Sequence, residues 1–505
     1  MNRVQGWAGD YSTDGGNDGD QVNAADPLWF AMAPHWTTIR ACVEGTDYLR
    51  QNADVYLPQQ PMELPESWQG RVSRSVFSPY FQKILRVAVG LILRKPIFLE
   101  GGDEAYFEEW REDVCRDGST DLDQFANDLL TNALSFGHSN ILVDYPDTSA
   151  IRTKAQEVGA ALKPYFVEIP APYVIGWRQD PRENMGKLQQ VRIREAAKLN
   201  KGRFGIEYKQ RVRVLEPGKF ELWEAGDNTA DASFTQIDSG SMSVPNIPLC
   251  TVYGSKLGVL HSKPPLLPLA ALNISHYQKS SDLTQSLHIA AQPILCMAGM
   301  DDLQNDNTTQ GAIGLSVNNA ILTPPRGDAE VYYVQPQNGA FDAQRADMDR
   351  LVDEMRNLGI AILSEQNTTN ASGVSKAMDR IDSNSVLQVV SKSLQQCLQD
   401  AINIAAEYAQ VEPPEVTIPR DFDVDPIEGN EVTAINTLFT SGLIDQQTAL
   451  EMLAHGEFLP EDIEIDEVMS QAENDELKDI EMQVERTSAL ADAVPDQPAN
   501  QPSGQ

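Results

Sequence analysis

Six histidines, His35, His138, His261, His276, His288 and His455, are scattered along the 505-residue chain. His276 and His288 fall on one expected helix, but twelve residues of helix separate them by about 18 Å, too far to share a metal ion. Carboxylates are so numerous that adjacent pairs such as Glu461 and Asp462 arise by chance and face solvent, so they are weak evidence for general acid and base work. Five cysteines, Cys42, Cys115, Cys250, Cys296 and Cys397, lie far apart with no C-x-x-C pair, as expected of thiols kept in a reducing cytoplasm. The chain has no G-x-x-x-x-G-K-S/T phosphate loop, no G-x-G-x-x-G, no H-E-x-x-H and no G-x-S-x-G. Members of a Ser-His-Asp triad could be distant in sequence, but nothing singles one out. The expectation is no enzyme, no metal site and no cofactor.

Charge narrows the partners. A formal net charge of -35 argues against tight grip on nucleic acid, which needs Lys and Arg to neutralise phosphates. An acidic wall that a polyanion slides past remains compatible, because it repels phosphates and offers few sticking points. With 41% apolar and 7% aromatic residues there is material for substantial cores in several packed units. The most apolar stretch, residues 84–98, contains Arg86, Arg94 and Lys95 and falls short of a membrane span, so no membrane partner is expected.

The elements follow from punctuation and period. Residues 1–26, rich in Gly, Asp and Asn, are expected to be a mobile tail. Ser78 and Pro79 suit the cap and first position of a helix running to Leu93, with Phe81, Ile84, Leu85, Ala88, Leu91 and Ile92 as its apolar face. A helix over 122–136 stopped by Gly137, a strand over 140–145 and an extended run over 165–177 follow. Alternation over 191–223 then predicts an antiparallel sheet, with Phe204, Ile206 and Tyr208 pointing one way and a turn at Pro217-Gly218. This sheet is locally basic, through residues such as Lys198, Arg203 and Lys209. It is either a solvated outer face or a surface that docks on an acidic neighbouring subunit.

Pro264-Pro265 opens a long helix to about Ala291, whose stripe is Leu269, Ala270, Asn273, Ile274, Tyr277, Thr284 and Leu287. Strand-like 320–323 and 330–334 lie in a compact insertion before a second helix, 341–358, which Gly359 is expected to end. Ser364 to Gly373 is a polar loop. A very long helix follows, with apolar positions Val374, Met378, Ile381, Val386, Val389, Leu394, Leu398, Ile402, Ala405 and Tyr408, a strut about 50 Å long. A short strand over 415–419 leads to an end where seventeen acidic residues from Glu431 face only Lys478 and Arg486. The class is α+β, mainly helical.

The segments Phe81-Gln-Lys-Ile-Leu-Arg-Val-Ala-Val-Gly-Leu-Ile-Leu-Arg-Lys-Pro96, Leu134-Ser-Phe-Gly-His-Ser-Asn-Ile-Leu-Val143 and Lys263-Pro-Pro-Leu-Leu-Pro-Leu-Ala-Ala-Leu-Asn-Ile-Ser-His-Tyr277 resemble those of tailed-bacteriophage portal proteins. So does the order of elements over much of residues 79–408; both tails lie outside the resemblance. It implies a wing over 27–263, stem helices over 264–291 and 337–358, a β clip over 292–336, and a tunnel loop with a long helix over 359–408. A wing return segment over 409–430, a helical crown over 431–486 and a disordered acidic tail over 487–505 complete it.

The function so implied is a head-tail connector: a homo-oligomeric ring, usually of twelve subunits, at one capsid vertex. Double-stranded DNA would be packaged and ejected through its channel. The implied partners are the major capsid protein, the terminase large subunit on the clip and then a head-tail adaptor. The location would be the virion, with host cytoplasm during assembly.

Within that frame, Gln366, Asn367, Thr368, Thr369 and Asn370 would touch the DNA backbone through neutral hydrogen bonds that let the duplex pass. Lys376 and Arg380 would contact phosphate or, one turn apart beside Asp379, form surface or intersubunit pairs. Leu266, Leu269, Ile274 and Tyr277 would form the stem interface. Two rivals are an acidic head-assembly or adaptor protein without a channel, and a hydrolase whose site has no sequence signature.

Overall fold

The structure, a computed structural model, describes residues 21–146, 162–179, 182, 187–226, 233–291, 294–298, 321–323, 330–334, 339–363 and 373–419, with side chains to residue 291 and over 341–359 and 387–419. The chain divides into two compact units, residues 1–420 and 421–505, and every element described lies in the first.

Order begins before Pro27, earlier than composition suggests. The Arg192 guanidinium donates to the Val22 carbonyl at 3.3 Å, and the Asp26 amide donates to Ile175 O at 2.8 Å, so 21–26 are tied to strands far along the chain. The Asp26 carboxylate accepts from Leu28 N at 2.8 Å and caps α1 (Pro27–Glu44), with Pro27 in its first turn. Three short helices unrecognised in the sequence follow, α2 (Thr46–Gln51), α3 (Ala53–Tyr56) and α4 (Pro65–Arg74).

Next come α5 (Tyr80–Ile92), β1 (Phe98–Glu100), α6 (Glu104–Arg111), α7 (Leu122–Phe136) and β2 (His138–Asp144). Asp121 caps α7 through Gln124 N at 2.7 Å, and Gly137 closes it at φ +95°, where a Cβ would lie 2.4 Å from Ser262 Oγ. The next residue therefore enters β2, and the first six positions of that strand are all buried.

The extended run expected over 165–177 is interrupted: β3 (Tyr165–Pro170) and β4 (Val174–Gln179) are separated by a 3-10 turn at Ala171–Tyr173, which follows Pro170 and contains Pro172. The break sends the halves to different sheets. β3 pairs with β2, which pairs in turn with β9 (Leu249–Tyr253); β4 opens the antiparallel order β4, β5 (Leu188–Lys201), β6 (Gly205–Glu216), β7 (Lys219–Ala225), β8 (Phe234–Ser241). Pro217 and Gly218, the latter at φ +70°, turn β6 into β7 as expected. Leu142, Ile169, Val191, Ile193 and Leu215 bury the two sheets against one another.

After the short hairpin β10 (Lys256–Gly258) and β11 (His261–Ser262) comes α8 (Leu267–Ala290), which starts beyond Pro264-Pro265. The insertion gains a strand: β12 (Ile294–Ala298) lies between β13 (Ile321–Thr323), parallel to it, and β14 (Glu330–Val334), antiparallel. Then come α9 (Gly339–Leu363), α10 (Gly373–Ala409, 37 residues) and β15 (Glu415–Thr417), which pairs with β1. Lys279, midway along α8, pairs with Asp347 in the first half of α9, while Asn273 near the start of α8 and Gly359 near the end of α9 both meet α5, so the two helices run antiparallel with the small sheet between their connected ends.

Two expectations are corrected here. Gly359 does not end α9, which continues to Leu363; it is buried, and a Cβ there would meet Ile84 Cδ1 at 2.7 Å. The glycine therefore allows α9 to approach α5 closely. Val389 is 66% exposed; the buried line of α10 is Leu387, Val390, Leu394, Cys397, Leu398, Ala401, Ile402 and Ala405. The tail of 1–20, the crown and the acidic end lie outside the described residues.

Gly359→Leu should lower stability by about 1–3 kcal/mol in urea denaturation, because Ile84 must move. Gly90→Ala, exposed on α5 with nothing within 4 Å of its added Cβ, should instead raise stability by about 0.5–1 kcal/mol.

Candidate functional site

Helix α8 lacks a continuous apolar stripe, yet its first half is held firmly. Leu269, Ala270, Asn273, His276, Tyr277 and Ser281 are buried, whereas no described residue of the helix after Ser281 is. The holding contacts are polar. Asn273 is fully buried; its Oδ1 accepts from Phe81 N at 2.9 Å and its Nδ2 donates to Ser78 O at 2.9 Å. A side chain almost two hundred positions away thus supplies the first-turn acceptor that Ser78 was expected to supply to α5.

One turn and two turns on, α8 is fastened again. Ser75 Oγ donates to Ser281 Oγ at 2.7 Å, and Gln278 donates to Tyr56 O at 3.0 Å. Arg71, 3% exposed, forms a two-pronged pair with Glu63 at 2.9 Å, donates to Pro58 O and lies 3.8 Å from Asp282 of α8. The Arg71 hydrogen bonds hold the Glu63 carboxyl below its usual range. Burial raises Asp282, against the pull of Arg71. The Arg71–Glu63 pair is shielded from water and Asp282, 48% exposed, sits at its edge, so these polar joints add direction to the apolar contacts that hold α8.

The expected stem residues are divided by this root. Leu266, Leu269 and Tyr277 are at most 1% exposed and lie inside the chain's own core, Tyr277 edge-on to Phe77 at 5.9 Å. In this fold they are out of reach of a neighbouring chain; Ile274 is half-buried. Gln366, Asn367, Thr368, Thr369 and Asn370 lie outside the described residues. Lys376 and Arg380 lie on the backbone of α10, with side chains outside the described set.

Between the two sheets lies a cavity of about 810 Å³ lined by Arg116, Asp144, Tyr165, Glu195, Arg213 and Tyr208, among others. Its charges are compensated internally: Arg213 lies 2.5 Å from Glu195 and 3.5 Å from Asp144, which also accepts from the Tyr165 hydroxyl at 3.1 Å. Burial pushes the Cys115 thiol up to about 12 and the Tyr165 phenol up as well, so neither is poised as an anion. His138, at the start of β2, has Nδ1 2.9 Å from Ser262 Oγ and no partner for Nε2; burial lowers its pKa to about 3 and keeps the ring neutral. Among the described residues no three His, Cys, Asp or Glu side chains form a metal-ligand group. No described helix is long and apolar enough to cross a membrane.

Residues 265–409 match the family described as "Domain of unknown function (DUF4055)". That span runs from just before α8 to the end of α10. No curated protein matches the chain. Among solved structures it is similar to a chain of the neck of an empty GTA particle computed with C6 symmetry, at 10% identity and TM-score 0.39, covering 77% of this chain and 94% of that one. A chain of the native gene transfer agent (GTA) virion gives 10% identity and TM-score 0.38, over 75% of this chain and 90% of that one. A chain of the native GTA neck computed with C12 symmetry gives 12% and 0.37, over 80% and 98%.

In the sequence Asn273 lies on the α8 stripe, and a carboxamide amid apolar positions is the only signal of its part in the fold. The Arg71–Glu63 and Ser75–Ser281 joints have none.

Asn273→Leu should destabilise the chain by about 2–4 kcal/mol in urea titration, since it leaves a buried N–H and a buried C=O unpaired. His138 and His276 both have lowered pKa values, caused by burial, so their stabilising neutrality is complete above about 6.5 and is lost as pH falls, because only the unfolded chain takes up the protons. The unfolding free energy from urea titrations between pH 7 and 5 should fall with a slope of at most about 1.4 kcal/mol per pH unit for each histidine, and His138→Gln should reduce that slope.

Proposed function

We propose that this chain is the portal subunit of a tailed-phage-like particle, a non-enzymatic ring of about twelve copies around the passage by which double-stranded DNA is packaged and ejected. The observation that carries the proposal is one run of elements: the antiparallel pair α8 and α9 with a three-stranded sheet between their connected ends, followed by the 37-residue α10. This run, with the three sequence segments quoted above, resembles the portal stem, clip and tunnel helix in order and relative length. α8 is rooted at one end by polar joints and not buried beyond Ser281, as a stem projecting from a wing requires.

On this assignment β12 to β14 form the surface that meets the terminase large subunit and later a head-tail adaptor, while the wing side faces the major capsid protein. The chain works in the virion after assembly in the host cytoplasm. Because Leu266, Leu269 and Tyr277 are used inside the subunit, contacts between stems fall to half-exposed positions such as Ile274. The net charge of -35 suits a wall past which DNA slides, since few cations are present to hold phosphate. Gln366 to Asn370 supply neutral backbone contacts in the channel, and Lys376 and Arg380 stand where the long helix begins.

The purified chain should show a native mass near twelve subunits, and negative-stain images should show rings with an axial hole. A stable monomer across salt and protein concentration would overturn the proposal. Deleting residues 367–370 should preserve the ring but cut DNA packaging or retention, measured as genome-filled heads; full heads at the wild-type level would remove the loop from the mechanism.

A further inference from the structure

Beyond the sheet, strands β5 and β6 continue as a ribbon of two. β4 pairs with β5 only as far as Ile193, and β7 pairs with β6 only from Arg211, so Ala196–Lys201 and Gly205–Gln210 pair with each other alone. Six residue pairs extend the ribbon about 20 Å past its neighbours. Its base is fixed: Arg211 reaches Glu224 through two nitrogens at 2.8 and 2.7 Å, and Arg213 reaches Glu195. The ribbon is therefore aimed by the sheet that carries it.

Its surface is poorly suited to water. Ile206 and Tyr208, two residues apart, share one face and are 52% and 56% exposed, while Phe204 at the tip is 86% exposed. At the root of the ribbon Ala197 is buried and Tyr208 borders the cavity between the sheets, but towards the tip the two strands have little cover; such a pair is marginal in water, and a row of three large apolar side chains there is a mark of contact. The charge of the ribbon is opposite to that of the chain. Residues 196–210 hold Lys198, Lys201, Arg203 and Lys209 against Glu207, net +3; the rest, with 35 Lys and Arg against 73 Asp and Glu, carries -38.

We propose that the ribbon of residues 196–210 is a docking arm that seats Phe204, Ile206 and Tyr208 on the acidic surface of a second copy of this chain. Charge complementarity selects that occupant, because every copy presents a strongly acidic surface and one basic arm. A contact of different surfaces on the two partners propagates around a ring rather than closing a two-fold pair. Nucleic acid is the poorer fit: Lys201 is paired with Glu207 at 3.3 Å and Lys209 with Glu224 at 3.3 Å, and the chain as a whole repels a polyanion. The inference names a contact for the ring proposed above and rests on that reading for the closed geometry alone.

The test uses the full chain. One variant carries Phe204→Ser, Ile206→Thr and Tyr208→Ser; a second carries Lys198→Glu and Arg203→Glu. All five side chains are exposed, so thermal unfolding should match wild type in both. Sedimentation and native mass spectrometry should show at least a tenfold higher concentration for half-assembly in each variant, with the charge variant also losing salt dependence. A photo-cross-linker at position 206, in mixed isotope-labelled and unlabelled chains, should yield cross-links between labelled and unlabelled copies. Wild-type assembly without an axial hole that the variants abolish would support the arm and overturn the ring. Unchanged assembly in both variants, with no cross-link between copies, would overturn the arm and leave the ring standing. Assembly unchanged while a wild-type DNA mobility shift disappears would overturn it in favour of nucleic acid.

Discussion

A buried carboxamide that must satisfy both of its ends sets the geometry of much of this molecule. Asn273 is sealed from water, and leaving either its oxygen or its nitrogen unpaired would cost about 1–3 kcal/mol, so α8 has one rotation and one height at which it can cross the start of α5. The constraint propagates. α8 carries Lys279 to Asp347 of α9, and α9 lays Gly359 against Ile84 of α5, the helix whose first turn Asn273 completes. Three helices therefore fix one another in a closed circuit.

Long-range ties of the same kind recur around the core. The indole N–H groups of Trp29, Trp36 and Trp110 donate to Pro172 O, Phe136 O and Pro164 O at 3.0, 2.9 and 2.8 Å. Each joins a helix to a carbonyl more than fifty residues away, at the end of a helix or beside β3 and β4. Burying large aromatic surface while meeting the one polar group gives both stability and a fixed register. The outcome is uneven: the root of α8 and the sheets around β2 are dense, whereas α8 beyond Ser281 has no buried residue and the tip of the β5–β6 ribbon is exposed. In the proposed ring, those parts are where one chain would meet another.

Much of the secondary structure was legible because local rules govern it. Asp121 and Gly137 bracket α7, Pro217 and Gly218 turn β6 into β7, and an apolar period runs through α10. The four helices of residues 27–74 were not legible: three of them are short, and the 18-residue α1 has buried positions set by contacts with distant elements such as α8 and α5. Gly359 shows where local rules mislead: a glycine at a helix end and one at a helix crossing look alike in sequence, and only the approach of Ile84 distinguishes them.

By itself the sequence determined the mixed α and β class, the long helices around a small sheet, the acidic balance, and the segments that resemble portal proteins. Those depend on composition and on neighbours a few residues apart. The tertiary structure decided the rest: that Leu266, Leu269 and Tyr277 face inward, that Val389 faces outward, that Asn273 caps a helix 192 residues away, and that Phe204, Ile206 and Tyr208 stand together on an uncovered ribbon. Burial is a property of the whole packed chain, and an amphipathic period states only which residues share a face, not whether that face meets the chain's own core, another chain or water.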